Sequence, residues 1–284
     1  MRRILFVALL AAAFSPNELR AQGECIAPRN SNVAKMLAWF DGPLAFASLG
    51  PVQHLPAGAV ILGGDLTWVP TPPSSITRTD YCYTPKSEHT GLSQLFPRPR
   101  IIVGLGGGLS FEAMYLPPVT VADATPNMGS VALAWARPIG AAARHLDITL
   151  RAHATFGQVQ GPITCPKDAT QQSNPFGVCW GNAPSKDTYR PNVMGGEIGI
   201  ASSSSALRWY GGLGFASLMP RFQVGFTSRN GFVDNTKVRV DLTRVSLFGG
   251  LAYAIAKSVD LSAQLYSAPQ DATTLRAGIS WRLR

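Results

Sequence analysis

Three side chains in the stretch HLDITLRAHATFG (145–157) are of the kinds that do chemistry: Asp147, Arg151 and His153. A carboxylate beside an imidazole can activate water, with a guanidinium to hold developing negative charge. In an extended strand all three fall on one face. Six positions separate Asp147 from His153, however, which is about 20 Å along a strand and far beyond proton-transfer reach. No GxSxG supplies a nucleophile elbow. His54, His89 and His145 form no metal-ligand spacing, so neither a metal nor a cofactor is expected. The chain is read as a non-enzyme, with an outer-membrane hydrolase the most remote alternative.

The element that carries these residues is more telling. Leu146, Ile148, Leu150, Ala152, Ala154 and Phe156 give its other face an apolar surface with no polar break. The same alternation recurs in AVILGGDLTWV (59–69), LSFEAMY (109–115), SVALAWA (130–136), VMGGEIGIA (193–201), ALRWYGGLGFA (206–216), DLSAQLY (260–266) and TLRAGISWRLR (274–284). The polar parity then collects Asp65, Glu112, Asp147, Arg151, His153, Glu197, Arg208 and Arg276.

Charged residues are only 14% of the chain, against about 25% in soluble domains. Yet no segment after the N-terminus holds 18 consecutive apolar residues. Low charge and 28 glycines, with hydrophobicity spread over alternate positions, are the signature of a transmembrane β-barrel. MRRILFVALLAAAFSPNELRAQ (1–22) reads as a secretory signal removed after Ala21, with Arg2 and Arg3 before an apolar run too short to span a bilayer. Taking its net +2 from the chain's +9 leaves +7, a charge that suits lipopolysaccharide phosphates or an anionic solute. Nucleic acid is no partner for an exported chain.

Ten strands are expected: 59–69, 98–105, 108–116, 128–138, 145–157, 191–203, 206–228, 235–256, 259–267 and 273–283. The pattern also accommodates eight or twelve. GLGGGL (104–109) reads as a tight turn rather than a phosphate loop, and a β-bulge is expected near Thr243–Val245. Short joints near 105–109, 139–144, 202–205 and 256–258 alternate with long or polar ones at 70–97, 117–128, 158–190 and 229–235, and with a shorter one at 267–272. That asymmetry is the outer-membrane pattern, with the short turns in the periplasm.

Over residues 59–284 the sequence resembles bacterial outer-membrane β-barrel proteins. The resemblance implies an all-β, antiparallel up-and-down barrel in the bacterial outer membrane, in contact with lipid and lipopolysaccharide. The ending SWRLR resembles the last strand read by the barrel-assembly machinery, with Arg284 where an aromatic is usual. SNVAKMLAWFDG (31–42) reads as a short helix within an N-terminal segment, residues 22–58. That segment either plugs the barrel, a layout similar to outer-membrane transporters for long-chain fatty acids, or caps the periplasmic mouth.

Four cysteines in an exported chain imply two disulfides. Cys165 and Cys179 share one polar loop and are paired; Cys25 then joins Cys82 by subtraction. The inward small residues at 132, 134, 136, 195, 199, 212, 214 and 216 suggest a lumen that is partly empty. The expected function is therefore passive passage or binding of a small hydrophobic or anionic solute by a monomer. A closed-lumen structural or surface-interaction barrel is the alternative.

Overall fold

The computed structural model describes residues 24–78, 80–82, 95–121, 123–139, 146–202 and 206–283. The signal segment 1–21, the joint at 140–144, most of that at 202–205, His89, His145 and Arg284 lie outside these residues.

Ten antiparallel strands close into a barrel: β1 (Val60–Trp68), β2 (Leu95–Gly106), β3 (Leu109–Leu116), β4 (Thr125–Ile139), β5 (Leu146–Gly161), β6 (Val193–Ser202), β7 (Leu207–Leu218), β8 (Leu242–Ala256), β9 (Val259–Ser267) and β10 (Thr273–Arg282). Each pairs with its sequence neighbours, and β10 pairs with β1 from Leu275↔Trp68 to Arg282↔Ile61, which leaves no free edge. All ten expected strands are present. The GLGGGL turn is a hairpin: Gly106, Gly107 and Gly108 all have positive φ (87°, 63° and 82°), a path open to glycine.

Two details differ from expectation. Register between β8 and β7 runs unbroken from Leu242↔Leu218 to Tyr253↔Leu207, so no bulge lies at Thr243–Val245. The slip in apolar parity arises because 235–256 is two strands, Lys237–Arg239 and β8, separated at Val240–Asp241. Likewise 206–228 divides at Met219–Pro220, after which Arg221–Gln223 continues in a different pairing. Proline has no N–H for the ladder, which suits such a break.

Strand parity sorts the side chains. Leu62, Leu66, Phe111, Leu133, Leu150, Ile198, Leu213, Leu251, Leu265 and Ile279 are exposed on the outer wall, an apolar belt of the kind that lies against lipid. Its tryptophans and tyrosines fall into two tiers. Trp135, Trp209, Tyr253 and Trp281 sit towards the short-turn end of their strands, and Trp68 and Tyr115 towards the long-loop end.

Beyond the long-loop end the wall continues as a smaller sheet. Asp187–Arg190, Arg221–Gln223, Lys237–Arg239 and Glu24–Ile26 pair side by side onto the top of β5. Inside it stands helix α1 (Asn32–Leu44), capped by Ser31, whose hydroxyl accepts from the Ala34 N–H. Val33, Met36, Leu37 and Phe40 of α1 pack with Tyr189, Phe222, Val238 and Leu218 in the main apolar core.

Candidate functional site

Four arginines meet inside the barrel, projecting from β2, β5 and β10, and they grip the chain itself. Arg98 and Arg276 each donate to the carbonyls of Pro43 and Ala45 at 3.4–3.5 Å. Thr155 donates to the Leu44 carbonyl at 3.1 Å, Arg151 to that of Phe46, and Arg100 to that of Ala47 at 3.0 Å. Residues 43–47 are thus held by consecutive backbone oxygens, the groups that an irregular buried segment most needs to satisfy.

The segment then descends the lumen. A Cβ built on Gly278 would come within 1.9 Å of the Leu49 side chain. Gln53 meets Arg282, and Gly58 and Ala59 pair with Gly104 at 2.9 and 2.8 Å before β1 begins. Residues 24–59 therefore enter at the long-loop end and leave at the short-turn end.

The arginines are in turn held by carboxylates of the wall. Asp65 pairs with Arg98 at 2.6 Å and Arg100 at 3.1 Å; Glu112 pairs with Arg100 at 3.2 Å and Arg151 at 3.0 Å; Glu197 pairs with Arg151 at 3.2 Å. Two of these contacts are written into strand pairing, since Asp65↔Arg98 and Arg151↔Glu197 are register partners. Four guanidiniums against three carboxylates leave one surplus positive charge, offset by the plug's carbonyl dipoles. Phe46 is wedged between two cations, 4.6 Å from the Arg100 guanidinium carbon and 5.1 Å from that of Arg151.

The structure places the other sequence-derived candidates separately. His153 is buried beside Gly195, with Nε2 4.0 Å from Glu197. Asp147 lies inward near the short-turn end and forms no ion pair among the described residues. Arg208 pairs with Asp260 at 2.5 Å, away from the arginine layer. No grouping of three metal-ligating side chains occurs among the described residues.

Arg98 and Arg100 are the members that sequence reading overlooked. A signal was available: in FPRPRII they share the parity opposite Pro97, Pro99 and Ile101. The inference of empty space from small residues is corrected. A Cβ on Gly195 would meet the His153 ring at 2.6 Å, one on Gly212 the Phe248 ring at 2.7 Å, and one on Gly214 the Ser246 hydroxyl at 2.9 Å. These glycines make room for neighbours, not for a solute. Among the described residues, a cavity of about 50 Å³ lies inside below Arg100, lined by Ser48, Gly50, Gln53, Glu112 and Asp260. It suits a few waters and is far below the ~300 Å³ of a small-molecule pocket.

Both disulfides join the pairs expected, Cys25–Cys82 and Cys165–Cys179. The first ties the plug to the loop after β1. The second folds the loop after β5, where buried Asp187 accepts hydrogen bonds from the Thr164 N–H (2.6 Å), the Ser185 hydroxyl (2.7 Å) and the Gly225 N–H (2.8 Å). On the plug, burial pushes the Asp41 carboxyl up to about 8, even though it accepts a hydrogen bond from the Tyr189 hydroxyl.

No family model and no curated protein matches the chain. Similar solved structures are outer-membrane barrels. The N-terminal β-barrel domain of Pseudomonas aeruginosa OprF is 9% identical, over 81% of this chain and 100% of that one, with a TM-score of 0.28. The P. putida toluene transporter TodX is 12% identical, over 81% and 68%, with a TM-score of 0.31. Ail of Yersinia pestis, in a bilayer nanodisc, is 10% identical, over 80% and 99%, with a TM-score of 0.31. At such identities and scores they add nothing to the strand pairing, from which the barrel is evident.

Proposed function

We propose that this protein is a monomeric outer-membrane barrel that its own N-terminal segment closes along the axis, and that it works through the surface at its long-loop end. In this reading the barrel-assembly machinery inserts it, the short turns face the periplasm, and the apolar belt lies in the lipid. One observation carries it: the carbonyls of residues 43–47 occupy the lumen, held by arginines that are themselves ion-paired to the wall. A solute would have to displace a segment continuous with β1 at one end and bridged to Cys82 at the other. Nothing in the lumen is assigned a reaction, since His153 is sealed from solvent.

Passage of a small hydrophobic or anionic solute is the competing reading, and conductance separates the two. The full mature chain, refolded and inserted into planar bilayers, is expected to give no steady current. Stable, ion-selective steps from the unmodified protein would overturn the closed reading. Loss of such steps on changing Glu112 or Arg151 would locate the path in the lumen.

A further inference from the structure

Above the apolar belt, the outer face of the small sheet carries a row of arginines. Tyr189, Phe222 and Val238 point inward to α1, so the alternate residues of their strands point out. Register sets Arg221 directly opposite Arg190 on one side and Arg239 on the other. One step further from the membrane belt, Lys237 stands opposite Gln223, with Glu24 across from it. Like charges at paired positions repel, and an anion seated over the row relieves that repulsion. Asp241 answers part of the charge, accepting from Arg221 and Arg239 at 3.0 Å each. Arg190 is exposed and makes no ion pair among the described residues.

The height of the row matters as much as its charge. Arg190 precedes the belt residue Met194 by four positions, and Arg239 precedes Val245 by six. That is roughly 13–20 Å of strand, or about 10–15 Å of height at ordinary barrel tilt. Groups at this level meet the headgroups of the leaflet, not the acyl chains.

We propose that Arg190, Arg221 and Arg239 form a binding site for the phosphate of an anionic lipid headgroup, seated on the outer wall where the sheet rises from the membrane. Guanidinium forks suit phosphate oxygens, and a row spaced by the strand repeat offers more than one fork to one group. The site rests on the orientation proposed above, but its test does not depend on the lumen being closed.

The test uses the full mature chain, folded in neutral detergent, with folding checked by its boiling-dependent gel shift. Binding is measured to micelles carrying lipid A, to lipid A stripped of phosphate, and in the presence of millimolar inorganic phosphate. The R190Q/R239Q pair leaves Arg221 in place, because Arg221 also donates to the carbonyls of Met219, Pro220 and Val240. The expected result is about tenfold weaker binding of phosphorylated lipid A by this pair, from the loss of charge-assisted hydrogen bonds, with the gel shift intact. Lys35→Gln, on the plug helix, should bind like the unmodified chain. Equal binding of the dephosphorylated lipid would overturn the proposal, as would a fall below twofold in the pair. Full competition by inorganic phosphate would overturn the lipid assignment in favour of a free-phosphate site. An open lumen in the conductance experiment would leave this result unaffected.

Discussion

Arg151 holds Phe46 twice: it donates to the Phe46 carbonyl, and its guanidinium carbon lies 5.1 Å from the centroid of the same residue's ring. It also bonds Glu112 and Glu197, so one side chain links plug, β3, β5 and β6. Arg151→Ala would leave buried Glu197 without a guanidinium, Glu112 with Arg100 alone, and the Phe46 carbonyl without its donor. A loss of about 3–5 kcal/mol is expected, as for removal of one partner from a buried ion pair. It should appear as a lower urea midpoint for unfolding from vesicles, and Arg151→Lys should recover only part of it.

Glycines on the wall divide by what a methyl group would meet. At Gly212 a Cβ would lie 2.2 Å from the Ile198 carbonyl, whereas at Gly249 it meets only the Tyr210 carbonyl at 3.9 Å. Gly212→Ala should cost about 1–3 kcal/mol by overpacking, and Gly249→Ala under about 0.5. Equal midpoints for the two variants would refute the contact.

The contrast marks what the sequence could disclose. The lipid-facing alternation at Leu62, Leu133, Leu150 and Ile279 was legible because lipid demands an apolar side chain at every second position. The ten strands followed from that alternation, Cys165–Cys179 from closeness in one loop, and Cys25–Cys82 by subtraction. The course of residues 45–59 (AFASLGPVQHLPAGA) was not legible, because it has no periodicity and is held largely through backbone carbonyls, which no side chain announces. Arg98 and Arg100 lie within the strand expected at 98–105, but the prolines at 97 and 99 obscure the apolar alternation that would mark their face as inward; β2 in fact starts at Leu95 and runs through both prolines. The inward glycines misled because a missing side chain looks the same whether a solute or a neighbour's ring fills the space.

Stability should also depend on pH through Asp41. Its carboxyl in the folded chain titrates near 8, far above its ordinary value, because burial disfavours the charge, with Asp271 adding to the shift and Arg221 opposing it. The folded state therefore holds the proton more tightly than the unfolded one. Stability falls as pH rises from about 4 towards 8, by at most about 1.4 kcal/mol per pH unit. Asp41→Asn keeps an acceptor for the Tyr189 hydroxyl and removes the titration. The urea midpoint of this variant should change less between pH 5 and pH 8 than that of the parent. Parallel pH curves for the two proteins would show that Asp41 is not responsible.

Removal of the longer bridge offers a further test. Cys25 and Cys82 are 57 residues apart, and closing a loop of that size corresponds to about 4 kcal/mol of chain entropy. In Cys25→Ser/Cys82→Ser the ten strands should still close, with an unchanged boiling-dependent gel shift. The N-terminal segment should become the first part cut by external protease, ahead of the Cys165–Cys179 loop. Protection equal to that of the parent would mean that the arginine contacts alone secure the segment.

The route of residues 24–59 also makes the plug a captive of the wall. β10 pairs with β1, the two ends of the barrel sequence, so no seam is left open beside it. The segment is joined to β1 below and bridged to Cys82 above. With both ends fixed to a closed wall, it has no free end to withdraw through either mouth. Releasing it takes a broken bridge or an opened wall, so a change of redox state bears on this lumen in a way that a change of solute does not.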